Sequence, residues 1–513
     1  MPRRSRRHDG RPYRADVRRT GAHHSGPHRL RRARAAARRD PVAPEVLRLE
    51  PCSLPGLDRP VRCGSLAVFE DRARGRGRTI ALNVVVIPAR GARRAPDPVF
   101  VIAGGPGQGA ATPPVAPYVA RELAAVNETR DLVLVDQRGT GRSNSLACDL
   151  GTGVRAALSG GPLAPENGSR LAECRRALER RADLRLYTTP LAMDDLDEVR
   201  AALGYDRINL FGASYGSRAA LVYMRQHPER VRSVVLRAVA PMGYNIPVDG
   251  AISAQQALDR LLADCAAEAG CAAAYPRLGD ALRDMLARLG AAPVPVQVPD
   301  GAAKELVDVR ITGDLFAAMV YVALLSAEYS RQLPFIVHRA HAGDFTPFVR
   351  FAVPVSQASY GLVSWGMYLS VVCAEDVPRI TPERMAAVKG TFLAAAVPAI
   401  VRACADWPRG ALPSGYHDPV ASAAPTLLLS GELDPANAPR WGEEALRYLP
   451  NGRHVVLPGT AHGPSFPGCA GALVAQFIDA GSAAALDPGC VQALQALRRP
   501  PFHVPMNDNA GRG

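Results

Sequence analysis

Several signals are missing from this sequence, and the absences narrow what it can be. Residues 1–45 contain no apolar run of the ~7–15 residues that form the core of a secretory signal. The longest apolar stretch elsewhere, near Gly390 to Val401, is too short for a bilayer, which needs about 20 apolar residues. No Cys-x-x-Cys pair marks a zinc site. The glycine-rich loop Gly104-Gly105-Pro106-Gly107-Gln108-Gly109 is not followed by Gly-Lys-Ser/Thr, which excludes a P-loop. There is no internal repeat, and 46 Gly and 45 Pro in 513 residues fall short of a low-complexity chain.

What is present is unevenly spread. The formal net charge is +14, but residues 1–40 hold 14 Arg against Asp9, Asp16 and Asp40, which leaves about +3 for everything after them. The high pI therefore describes a tail and not the body. Such a tail can contact nucleic acid or an anionic membrane, yet no aromatic or glycine pattern accompanies these arginines. It reads as a disordered leader or an over-long translation start, so no nucleic-acid partner is expected. Ten cysteines fall as near neighbours: Cys52/Cys63, Cys148/Cys174, Cys265/Cys271, Cys373/Cys404 and Cys469/Cys490. An even count in couples suits a disulfide-bonded exported chain. Ten buried free thiols in a cytosolic enzyme is the alternative, and spacing alone does not fix connectivity.

Beyond the tail, β-branched runs at Gly64 to Phe69 and Thr79 to Ile87 read as strands. Pro98 to Ala103 and Asp131 to Asp136 are apolar throughout, as strands covered on both faces are. Strands and helices then alternate through Val231 to Leu236, which argues a parallel sheet with helices on both faces. From about Pro241 to Ser422 the pattern turns helical, with Ile311 to Leu325 and Arg331 to Ala340 among the expected helices. Strands return at Thr426 to Ser430 and Arg453 to Leu457. The expected organisation is a basic tail (1–45), an α/β core in two parts (46–240 and 423–500), a helical cap inserted between them (241–422), and a frayed C-terminal tail (501–513). The fold class is α/β, a mostly parallel doubly wound sheet.

The chemistry centres on Ile208-Asn209-Leu210-Phe211-Gly212-Ala213-Ser214-Tyr215-Gly216. A short apolar strand runs into Gly-x-Ser-x-Gly and then a small-residue helix start, the pattern of a nucleophile elbow. A strand turning abruptly into a helix brings two backbones close together, so small residues flank the serine. A serine hydroxyl needs a base, and the base needs an orienting group. Asp434 follows the strand that ends at Ser430, and His462 follows the strand that ends at Leu457. The order Ser214, Asp434, His462 is that of an α/β-hydrolase triad, and such strand ends are where ligands bind. His454 and His417 sit at the wrong ends of their strands, and Glu432 is the alternative orienter. The oxyanion donors expected are the backbone N–H groups of Gly105 and Tyr215.

These motifs, with Asp136-Gln137-Arg138-Gly139-Thr140-Gly141-Arg142-Ser143, resemble the α/β-hydrolases of the prolyl aminopeptidase and tripeptidyl aminopeptidase group, exported bacterial members included. The resemblance covers roughly residues 48 to 495 and takes in a TAP-like C-terminal region. It implies removal of residues or short peptides from free N-termini, with a cap that excludes longer chains and with no metal or organic cofactor. One departure is Ala103, where the family's first loop usually begins with His. Val371-Val372-Cys373-Ala374-Glu375-Asp376 resembles a recurrent cap element, and Glu375 and Asp376 are candidates to hold a substrate ammonium. Asp136 and Arg138 read as fold-holding. The expectation is a serine aminopeptidase, periplasmic or extracellular, acting on a peptide or small ester or amide. An esterase on the same machinery and a non-catalytic binding protein are the alternatives, because fold and triad do not set substrate.

Overall fold

The computed structural model describes residues 47–149, 151, 153–161, 163–164, 167–300, 305–463, 469–493 and 501–504. The basic tail expected at 1–45 lies outside them. The strands are β1 (Glu50–Cys52), β2 (Val61–Phe69), β3 (Thr79–Ile87), β4 (Val99–Ile102), β5 (Leu132–Val135), β6 (Ile208–Ala213), β7 (Val231–Arg237), β8 (Val294–Asp300), β9 (Glu305–Ile311), β10 (Thr426–Gly431) and β11 (Gly452–Leu457). Nine of them form one sheet in the order β1-β2-β3-β5-β4-β6-β7-β10-β11. From β5 to β11 every pairing is parallel; β1, β2 and β3 extend one edge antiparallel.

The apolar strands explain the layering. Successive side chains along a strand point to opposite faces. Phe100 and Ile102 of β4 join one buried cluster with Val133, Leu210 and Leu236. Val99 and Val101 join a second with Leu132, Leu134, Phe211, Leu427 and Leu429. A sheet buried on both faces has no polar side to show, so its central strands carry unbroken Val, Leu and Ile.

Between β7 and β10 the described residues add no strand to this sheet. That stretch is mainly helical, but it also contains β8 and β9, a separate antiparallel pair the sequence reading did not expect. Pro295 and Pro299 within β8 argue against a strand, yet Val298, Val309 and Ile311 turn one face into a third buried cluster with Leu261, Leu282 and Phe316. Residues 501–504 also depart from expectation, while the rest of the expected tail, 505–513, lies outside the described residues. Phe502 is buried in that third cluster. The Tyr275 hydroxyl donates to the His503 carbonyl at 2.6 Å, and His503 N–H donates to the Arg331 carbonyl at 3.0 Å. Residues 501–504 are thus docked and not frayed, because an aromatic side chain has an apolar cluster to enter.

The cysteines form five disulfides, each between the expected neighbours. Such bonds persist outside the reducing cytosol. Among the described residues no helix is long and apolar enough to cross a membrane.

Candidate active site

The parallel strands β4, β6, β10 and β11 all end at the same edge of the sheet, and each end carries part of the site. At the end of β6, Ser214 has φ 57° and ψ −126°, and the helix α2 (Tyr215–Gln226) starts immediately after it. A non-glycine residue held there is strained by about 1–3 kcal/mol and persists only because its surroundings fix it. The flanking glycines are sterically required. A methyl on Gly212 would strike the Gly216 carbonyl, and one on Gly216 would strike the Ile102 carbonyl. Ser214 N–H donates to the Arg237 carbonyl at 2.9 Å.

The loop after β4 lies against this turn. A methyl on Gly104 would come within 3.3 Å of Ser214 Cβ. Gly105 has φ 110° and Gly107 φ 105°, in the left-handed region that glycine tolerates. Beneath the loop, buried Asp136 accepts from Ala111 N–H, Arg142 N–H and Asn83 Nδ2 at 2.9–3.0 Å. Buried Arg138 forks onto Asp195 at 2.6 and 2.8 Å. These two hold loops together, as expected of them.

At the ends of β10 and β11 the structure brings Asp434 and His462 together. Nδ1 of His462 lies 3.0 and 2.9 Å from the two Asp434 oxygens. Oδ1 of Asp434 also accepts from the N–H groups of Ala436 and Asn437, both at 2.8 Å. Burial pushes this carboxyl up, but the His462 imidazole and those two N–H groups hold it below its ordinary value. The two loops are stitched together, with Leu433 N–H donating to the Thr460 carbonyl at 2.9 Å. Glu432 instead turns outward, to Gly459 N–H at 3.0 Å and to Arg260. His454 lies within β11, 2.8 Å from Ser430 Oγ, and His417 sits in a loop where burial lowers it to about 4.

Arg237 joins the two halves, and sequence reasoning missed it. Its carbonyl holds Ser214, while its guanidinium donates to the carbonyls of His462 (3.2 Å) and Gly463. The signal was available: an arginine closing the apolar strand Val231 to Leu236 at its carboxyl end.

Glu375 and Asp376 do not stand open to an incoming ammonium. They end the helix α3 (Trp365–Glu375) and both are fully buried. Asp376 pairs with Arg218 of α2 at 3.0 Å and accepts from Ile246 N–H at 3.1 Å. Glu375 accepts from Thr189 and Tyr416. This departs from the expectation that they hold a substrate ammonium: both are buried, Asp376 paired with Arg218 and Glu375 hydrogen-bonded to Thr189 and Tyr416.

Comparison with known proteins agrees with this fold. Residues 97–270 match the family model described as alpha/beta hydrolase fold, and residues 391–490 match the model described as TAP-like protein. The chain thus has the α/β-hydrolase fold and a TAP-like C-terminal region. It is 31% identical over 222 residues to the serine protease Hip1 of Mycobacterium tuberculosis, covering 41% of this chain and 42% of that one. It is 30% identical over 193 residues to the tripeptidyl aminopeptidase of Streptomyces lividans, covering 36% of each. Over 142 residues it is 30% identical to the proline iminopeptidase of Neisseria gonorrhoeae, covering 28% of this chain and 32% of that one. Each match thus spans less than half of the relative's length.

Proposed function

We propose that this chain is an exported serine aminopeptidase that releases residues or short peptides from free N-termini. The observation that carries the reading is the Asp434–His462 contact at 2.9 Å, linked through Arg237 to a serine held at φ 57° on a strand-to-helix turn. In this reading Ser214 Oγ attacks the scissile carbonyl, and the imidazole of His462 takes its proton. Asp434 holds the ring by Nδ1–H and stabilises the imidazolium. The N–H groups of Gly105 and Tyr215 receive the negative charge of the tetrahedral intermediate. His462 then returns the proton to the leaving amine, and water releases the acyl group by the same route in reverse. The names of the relatives support a peptide substrate, and the five disulfides support a periplasmic or extracellular location.

The test is a matched panel: aminoacyl and tripeptidyl arylamides with free N-termini, their N-blocked versions, and short-chain aryl esters, run with wild type and Ser214→Ala. Cleavage confined to the free-amine amides, and lost in Ser214→Ala, is the expected outcome. Serine-dependent cleavage of esters alone would replace the aminopeptidase with an esterase.

A further inference from the structure

Ser214 is strained, and the residue after it carries one of the two proposed oxyanion donors. What fixes Tyr215 therefore matters as much as what touches the substrate. The Tyr215 hydroxyl lies 2.7 Å from Thr189 Oγ1. Thr189 is the first residue of the helix α1 (Thr189–Ala202). Its hydroxyl donates its one hydrogen to Glu375 Oε2 at 2.8 Å, and its N–H donates to Oε1 at 2.7 Å. With Glu375 ionised, that hydrogen is committed and Thr189 Oγ1 accepts from Tyr215, so the chain runs from Tyr215 O–H to Thr189 and from Thr189 O–H to Glu375. Tyr416 supplies a further donor to Oε2 at 2.5 Å. Glu375, Thr189, Tyr215 and Tyr416 are all buried, so none of these groups can exchange its partner for water. One turn further along α2, Arg218 takes Asp376 at 3.0 Å. Two adjacent carboxylates thus grip two successive points on the first turn of the nucleophile's helix.

We propose that Glu375 is a positioning residue: through Thr189 it fixes Tyr215 and so aims the Tyr215 backbone N–H at the developing oxyanion. The inference rests on the reading of Ser214 as nucleophile. It differs from an ammonium contact in what it predicts. A residue that binds the substrate amine acts only on substrates that have one. A residue that sets the oxyanion donor acts on every acyl or phosphonyl group that meets Ser214. Removing one oxyanion donor outright costs about 10²–10³-fold, and a mis-aimed donor forfeits part of that.

The experiment compares wild type, Glu375→Gln, Tyr215→Phe and Phe502→Ala. The readouts are the rate of Ser214 labelling by a fluorophosphonate and kcat and KM on matched free-amine and amine-free substrates. Phe502→Ala is a control that loosens the third buried cluster without touching this chain of hydrogen bonds. Glu375→Gln and Tyr215→Phe are each expected to slow labelling at least tenfold and to lower kcat by the same factor on both substrate types, with KM held. Phe502→Ala should leave labelling within about twofold. If folded Tyr215→Phe is labelled as fast as wild type, the inference is wrong, whether or not Glu375→Gln folds. A loss confined to free-amine substrates and expressed in KM would return Glu375 to ammonium binding. Failure of wild type to be labelled at all would instead overturn the serine-hydrolase reading beneath it.

Discussion

The sheet and the region inserted between β7 and β10 are held together by different means. The sheet is ordered by ladders and by apolar side chains that fill both faces. The inserted region has its own apolar cluster around Leu261, Phe316 and Val309. Where it meets α2 and its neighbour α1 it adds buried polar contacts: Arg218 of α2 on Asp376, and Thr189 of α1 on Glu375. A further link runs from Ser364 N–H to the Gly107 carbonyl of the glycine loop, at 2.9 Å. Hydrophobic packing is non-directional and tolerates small shifts. A buried hydrogen bond or ion pair does not, because a missed partner cannot be replaced by water. The sheet sets where the loops end, and the polar contacts from α3 set how the turn after β6 is aimed. α3 itself belongs with the sheet, since Met367, Leu369 and Val371 lie in the sheet's first apolar cluster.

The sharpest way to break this division is at the sheet's edge. Asp434→Asn keeps the shape of the site but supplies an amide where Nδ1–H needs an acceptor. It should lower kcat by about 10⁴-fold, as loss of the orienting carboxylate does in a triad. A steady-state assay on the variant shown to be folded would place the effect in chemistry, and a fall of less than tenfold would remove Asp434 from its role. The buried pair comes next. Arg218→Met leaves Asp376 in the interior without its main partner, which costs about 3–5 kcal/mol. Arg218→Met with Asp376→Leu should recover much of the lost thermal midpoint, since replacing both charges by apolar groups is often neutral. If the double variant is no better than the single one, the pair is not what holds α3 to α2.

How far the sequence reveals these parts follows from the same division. β4, β5, β6, β7, β10 and β11 were legible because strands buried on both faces announce themselves as apolar runs. Ser214, Asp434 and His462 could be singled out as candidates because each follows such a run, in the chain order of a known triad. The β8–β9 hairpin was hidden by its prolines. The role of Glu375 was hidden by distance: Thr189 stands 186 residues away along the chain, and no local pattern reports that contact. A carboxylate in a cap element reads from sequence as a ligand for something outside. The structure shows its ligands to be inside.

The disulfides offer a smaller test. Cys373–Cys404 lies beside the polar contacts and closes 31 residues, whereas Cys265–Cys271 closes 6. Chain entropy assigns the longer loop about 3.5 kcal/mol and the shorter about 2 kcal/mol. Replacing both cysteines by alanine should therefore lower the thermal midpoint more for the first pair. Fluorophosphonate labelling should also slow in the Cys373/Cys404 variant and not in the Cys265/Cys271 variant. Equal labelling in the two would separate α3's disulfide from the aim of Tyr215.

The smallest expected effect contrasts two buried carboxylates. Asp434 is held below its ordinary value, with burial outweighed by His462 and two backbone N–H groups. Its folded form binds fewer protons than the unfolded chain, so it adds stability at neutral pH that is lost as pH falls through its folded value. Glu375 is raised above its ordinary 4.5, mainly by burial and with Arg218 opposing. Its folded form keeps a proton longer, so stability falls as pH climbs from 4.5 through the raised value. In thermal midpoints measured against pH, Glu375→Gln should flatten the decline above 4.5, and Asp434→Asn should flatten the decline on the acid side. A Glu375→Gln profile parallel to wild type across the whole range would mean that Glu375 does not ionise there, and that its hold on Thr189 is that of a neutral acid.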